Sequence, residues 1–286
     1  MVITVTGSTG TIGTTLVRLL SDAGAATRAV FRVVNSIRPL PGVVWTQADL
    51  ADPRTLEPTL AGTTRLFLLT GNDPGLGKLQ TDVLRAAQDA GVTHVVKLSA
   101  LGASRHSNSW IAREHYEAEQ ALQGSRMTWT ILRPHAFMQN WLGDVAASVR
   151  ERGVIESPIG DGRVPFIDTR DIADVAAEAL LHPERHANAK YFLTGGEAVG
   201  LADVAAVLSE TLSKPVAYRP ISMDDARAHM QAQGVTPPLI DAMLAIAAYQ
   251  KAGGPTSTVS DTVERILGRP PRTIRDFARD YRSRFE

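Results

Sequence analysis

Apolar and polar positions alternate between two periods along the first half of the chain. An apolar, β-branched run at residues 2–5 passes at once into glycines and then into a helical pattern at 14–20. Five further runs repeat the scheme, at residues 27–32, 43–50, 65–71, 93–100 and 127–134. The fourth strand, 65–71, is nearly continuous in apolar residues, as a strand covered on both faces must be. Helical patterns separate the runs. One opens at Asp52-Pro53, a cap followed by a first-turn proline. A second covers about 76–90 and stops at Gly91, and a third covers 110–124. Strand–helix alternation of this kind predicts the α/β class, a doubly wound parallel sheet with helices on both faces.

The second half reads differently. A short strand and then a helix are expected within 160–173, with Asp171 and Asp174 as caps or first-turn charges. Further strands are expected at 190–195 and 215–222, around a helix at 201–212. From Met223 onward helical periodicity dominates. A long apolar helix at 239–249 is broken by Gly253-Gly254-Pro255, and Ser260 and Thr273 open the last helices. These patterns divide the chain into residues 1–150, with returns from about 160–195, and a smaller, mostly helical lobe at 151–286.

Composition narrows the partners. The 286 residues carry 30 Lys and Arg against 30 Asp and Glu, so no net charge draws the chain to nucleic acid or to an anionic membrane. Cysteine is absent, which excludes disulfides, thiolate metal sites and thiol nucleophiles, and no metal is expected. No apolar run approaches the ~20 residues of a membrane span. The first strand begins without a basic or cleavable segment before it, so a cytoplasmic monomer or homodimer is expected.

The chemistry begins at Gly7, Gly10 and Gly13. A glycine turn between strand and helix suits a dinucleotide. Gly7 makes the tight turn, Gly10 admits the pyrophosphate and Gly13 lets the helix pack close to the sheet. Thr9, Thr11 and Ile12 complete the loop at the helix N-terminus, whose free N–H groups favour phosphate. At the end of the second strand, where an NAD-selecting site carries an acid, the chain has Arg32, with Arg38 beyond. A guanidinium there suits a 2′-phosphate, so NADP(H) is the expected cofactor. Asp49 and Leu50 at the third strand end border the adenine position. Leu69, Thr70 and Gly71 at the fourth, and Ser99 at the fifth, border ribose and nicotinamide. Lys97 and Ser99 stand two apart and share a face.

The glycine spacing, Lys97-Leu-Ser-Ala100, His115-x-x-x-Glu119, the Leu-Arg-Pro-x-x-Phe-Met-x-Asn segment from Leu132 to Asn140, and Gly268-Arg-Pro-Pro-Arg-Thr273 together resemble one family. It is the atypical short-chain dehydrogenases/reductases, in the NmrA-like, type 2 NAD(P)H:quinone oxidoreductase subgroup. The resemblance implies a Rossmann fold, NADP(H), and hydride transfer to a small flat aromatic acceptor. Quinones, azo or triarylmethane dyes and aromatic ketones such as polyketides belong to that class. The usual Tyr-x-x-x-Lys pair is incomplete, because Tyr116 is followed four residues later by Gln120. Ser99 and His115 are then the candidate catalytic groups, as weak donors to the acceptor oxygen. The same resemblance makes His135, Phe137, Met138, Asn140 and Trp141 the candidate substrate residues. It leaves open a non-catalytic NADP(H) sensor of the NmrA type, and a nucleotide-sugar epimerase or dehydratase.

Overall fold

The computed structural model describes residues 1–33 and 37–286. In chain order the described residues form β1 (Ile3–Val5), α1 (Thr11–Asp22), β2 (Thr27–Phe31), β3 (Val43–Gln47), α2 (Pro53–Leu60), β4 (Arg65–Leu68), α3 (Leu76–Asp89), β5 (His94–Leu98), α4 (Trp110–Gln123) and β6 (Thr128–Pro134). Then come α5 (Asp144–Arg152), β7 (Val154–Ser157), α6 (Thr169–Leu181), α7 (Pro183–His186), β8 (Ala189–Leu193), α8 (Leu201–Leu212), β9 (Ala217–Pro220), α9 (Met223–Ala232) and α10 (Pro237–Ala252). Three short helices close the chain, α11 (Thr262–Leu267), α12 (Ile274–Asp280) and α13 (Arg282–Phe285). Two compact units result, Met1–Pro134 with Thr169–Leu193, and His135–Asp168 with Thr194–Glu286.

In the first unit seven described strands form one parallel sheet, in the order β3-β2-β1-β4-β5-β6-β8. The direction of winding reverses between β1 and β4, and ligands of such sheets bind outside the strand ends at that reversal. Helices α1 and α6 pack together on one face, and α2, α3 and α4 on the other. Residues of β1 and β5 are buried throughout, whereas edge strand β3 has no fully buried residue. Under α2 and α3, Leu56, Leu60, Leu66, Leu68, Val83 and Leu84 build the apolar core. Arg65, at the start of β4, donates to the carbonyls of Leu180 and Leu181 and so ends α6.

The second unit has its own core, in which Trp141 meets Phe166 edge-on at 4.8 Å and Phe277 at 5.6 Å. Thr273 and Asp276 cap α12 reciprocally, and Ser222 and Asp225 do the same for α9.

Three sequence expectations change. The strand expected near 160–168 exists only as isolated bridges, Val164 to Val199 and Phe137 to Ile167, because Pro165 interrupts its pairing. Strand β7 was not expected; its four residues are too few for a readable alternation, and it pairs with β9. The strand expected at 190–195 is β8, which joins the main sheet as its seventh strand, within the return of the chain expected at about 160–195. Residue 150 lies inside α5, and the units part after Pro134, which ends β6.

Replacing Trp141 by Ala removes the centre of the second unit's aromatic cluster. The expected loss is ~3–5 kcal/mol of stability, as for other buried aromatics. Urea unfolding followed by far-ultraviolet circular dichroism measures it; a loss below ~1 kcal/mol would show that Trp141 is not core.

Candidate functional site

The glycine turn between β1 and α1 is shaped by contacts that leave no room for a side chain. Gly7 has φ +63°, and a Cβ there would lie 2.9 Å from Leu69 Cγ and 3.0 Å from Leu69 O. A Cβ on Gly13 would come within 2.1 Å of Gly7 O, so helix and turn pack backbone to backbone. Thr6 Oγ1 donates to the Leu69 carbonyl at 2.9 Å and accepts from its N–H at 2.9 Å, tying the turn to the end of β4. Ser8 Oγ donates to Val30 O at 2.6 Å, tying it to β2.

Gly10 is different. It is exposed, and a Cβ there would meet only Gly7 O, at 3.4 Å. The protein's own packing does not demand glycine at that point, whereas a closely approaching phosphate does. No side chain caps α1, and its first turn holds no acid. Thr9 and Thr11 are exposed beside it, and Ile12 is buried, so Ile12 offers its backbone rather than its side chain. This cradle fits a dinucleotide pyrophosphate.

Arg32 lies exposed just past β2, where its carbonyl accepts from Gln47 Nε2 at 3.2 Å. Asp49 is an exposed turn residue, and its Oδ1 accepts from the Ala51 N–H at 3.0 Å. Leu50 packs partly against the core under α2. Leu69 and Thr70 are half-buried beyond β4, and Gly71 is exposed. Thr70 Oγ1 accepts from Gln80 Nε2 at 2.8 Å, which orients its hydroxyl.

The polar cluster at the end of β5 is buried. Glu119 of α4 has no exposed surface, and three groups from three strands or their ends converge on it. Arg133 donates through Nε at 2.8 Å and through a terminal nitrogen at 2.6 Å. Lys190 stands 3.0 Å away, and Ser99 donates its hydroxyl at 2.5 Å. Burial opposes ionisation of this carboxyl, but the bonds from Arg133, Ser99 and Lys190 outweigh it and hold its pKa below the usual range.

That arrangement corrects the role expected of Ser99. Its one proton is committed to Glu119, so it cannot also donate to an acceptor oxygen. His115 of α4 is brought instead to Lys97, with Nδ1 3.2 Å from Nζ. Sequence reading placed Lys97 beside Ser99 but assigned it nothing. The signal was a lysine inside a strand that must be covered on both faces.

The candidate substrate segment also divides. Met138 and Trp141 belong to the core of the second unit. His135 is buried; its Nδ1 accepts from the Ala136 N–H at 2.7 Å and its Nε2 donates to Thr256 O at 2.9 Å, which leaves no nitrogen for a ligand. Met138 and Trp141 face the interior from the 3₁₀ turn that follows Phe137. Phe137 is half-buried and Asn140 exposed.

The fold and cradle define a dinucleotide-binding protein of Rossmann type. The chain belongs to the NmrA-like family, whose model matches residues 1–269. It is 39% identical over 288 residues to the NAD(P)H azoreductase of Xenophilus azovorans, with 99% of each chain covered. Its structure resembles that of the NADPH-dependent quinone oxidoreductase of Escherichia coli complexed with NADPH, at 29% identity and TM-score 0.84, over 96% of this chain and 98% of that one. It also resembles the Citrobacter sp. triphenylmethane reductase complexed with NADP(H), at 26% identity and TM-score 0.84, over 98% and 99%. No helix among the described residues is long and apolar enough to cross a membrane.

Burial lowers the pKa of both His94 and His135 from 6.5 to about 4, helped at His94 by Arg65 and His186 and opposed at His135 by its bond to Thr256. Both are neutral in the folded chain, whereas the unfolded chain protonates them near 6.5. Their contribution is therefore complete above pH 6.5 and is lost as pH falls toward 4, by roughly 3 kcal/mol each. Urea midpoints measured at intervals across this window should fall steadily; a flat profile would contradict the assignment.

Proposed function

We propose that the chain is an NADPH-dependent reductase that delivers hydride to a flat aromatic acceptor: a quinone, an azo or triarylmethane dye, or an aromatic ketone. The observation that carries this reading is the glycine cradle at α1 joined to an exposed Arg32 at the tip of β2. The α1 N-terminus and Gly10 hold the pyrophosphate, and Arg32 holds the 2′-phosphate. Asp49 and Leu50 border the adenine. Leu69, Thr70 and Gly71 border ribose and nicotinamide.

Bound NADPH supplies the hydride. The protein's part is to orient the acceptor and to meet the charge that develops on it. A conjugated acceptor spreads that charge, so one weak donor suffices and the Tyr-x-x-x-Lys pair is dispensable. With the Ser99 proton held by Glu119, that donor is His115. Of the five candidate substrate residues, Phe137 and Asn140 are the two that are not buried. The azo, quinone and triphenylmethane specificities named for its relatives support this substrate class. The balanced charge and the lack of cysteine support a cytoplasmic monomer or homodimer that engages neither nucleic acid nor membrane.

The test is the loss of reduced-nicotinamide absorbance with a panel of such acceptors, NADPH beside NADH. Turnover should favour NADPH, and Arg32→Asp should raise the KM for NADPH by about tenfold or more, the ~1.4 kcal/mol of a charge-assisted contact, while changing NADH little. Tight NADPH binding without turnover on any acceptor would replace the reductase by a redox sensor.

A further inference from the structure

Lys97 has no exposed surface, yet it stands in β5 without a carboxylate bonded to it among the described residues. Its Nζ donates to Leu98 O at 3.1 Å and lies 3.2 Å from His115 Nδ1. The charged groups around the pair are Glu119, on α4 with His115, and Arg133 of β6 and Lys190 of β8, both bound to Glu119. Burial brings the Lys97 ammonium down to about 7, Glu119 holding it up in part and Arg133 adding to the fall. Burial, with Lys97 and Arg133 nearby, keeps His115 well below its ordinary pKa, so its ring is neutral.

An ammonium has donors only. Nδ1 of the neutral ring must therefore accept, and the ring proton sits on Nε2. That nitrogen has no partner among the described residues, and the residue keeps 8% of its surface exposed.

We infer that Lys97 fixes His115 as its Nε2–H tautomer and resupplies the proton that this nitrogen hands to the reduced acceptor. This rests on the reductase reading above. When hydride adds to one nitrogen of an azo bond, the π pair moves to the other. The Nε2–H bond of His115 breaks as a new N–H bond forms there, and a hydrazo product results. The Nζ–H bond of Lys97 breaks as Nδ1–H forms, so the ring passes from one neutral form to the other. Lys97 is left as an amine. Water then protonates Nε2, and the Nδ1 proton returns to Nζ. A quinone uses the same proton on its oxygen. A triarylmethane cation does not, because hydride at its central carbon already gives a neutral product. Lys97, with no exposed surface, acts on the acceptor only through His115 and is a positioning residue.

The test is Lys97→Met, a swap of similar volume that keeps the site filled. Nitrogen-15 spectra of the His115 ring, near pH 6 with and without NADP⁺, should show bare Nδ1 and protonated Nε2 in the wild type. In the variant they should show a mixture of tautomers and a His115 pKa moved up toward the ordinary value. The ratio of azo to triarylmethane-cation turnover should fall about a hundredfold, the size of one general acid. In the wild type, azo turnover should decline as pH rises through about 7, where Lys97 loses its proton, and dye-cation turnover should lack that limb. A protonated Nδ1 in the wild type, an unchanged tautomer in the variant, or equal losses on both acceptors would each overturn the inference. Should no acceptor turn over at all, the reductase reading fails, and the nitrogen spectra still decide the Lys97–His115 pairing by themselves.

Discussion

The buried carboxylate of Glu119 is the constraint on which the rest of the site depends. A charge without access to water is tolerated only when its lone pairs are filled, and here Arg133, Lys190 and Ser99 fill them. These partners come from β6, from β8 and from the residue just past β5, so one carboxylate joins α4 to three neighbouring strands of the first unit. Removing any one partner would leave a lone pair of a buried carboxylate unfilled. The cluster therefore fixes α4 against the sheet at the strand ends, where the reversal of winding places a ligand.

What Glu119 binds also decides what is left over. Ser99 commits its hydroxyl proton to a hydrogen bond with the carboxylate and has none left for another acceptor. Arg133 and Lys190 are held as counter-charges. Lys97, one turn of strand away on the same face, receives no carboxylate and turns to His115. Two basic groups that share a hydrogen bond out of water cannot both carry charge, and the choice between them is what makes the pair chemically active. The donor of the proposed reaction thus arises from a competition among buried polar groups rather than from a motif.

The glycine turn works on a separate principle. Gly7 and Gly13 answer to the protein's own backbone, whereas Gly10 answers to the space in front of it. That difference separates packing from ligand recognition within one short loop, and it explains why spacing alone indicated both the fold and the cofactor. The aromatic segment after Pro134 had no such local meaning. Met138 and Trp141 read equally well as a ligand floor or as core, and only their neighbours Phe166 and Phe277, which are distant in sequence, place them in the interior.

The order of strands and helices up to β6, the dinucleotide turn, and the cation at the tip of β2 were all legible in the chain, because each is written in consecutive residues through periodicity, glycine geometry and charge. The weak or interrupted pairings at β7 and near Pro165 were not, since two or three hydrogen bonds leave no period to read. The fate of the polar residues was decided by the tertiary structure alone. Ser99 meets Glu119 across 20 positions, and Lys97 meets His115 across 18, only once strand and helix are packed. Inside, away from water, each donor takes whichever acceptor the fold brings within 3 Å or so, and that partner is a property of the folded sheet rather than of any stretch of sequence.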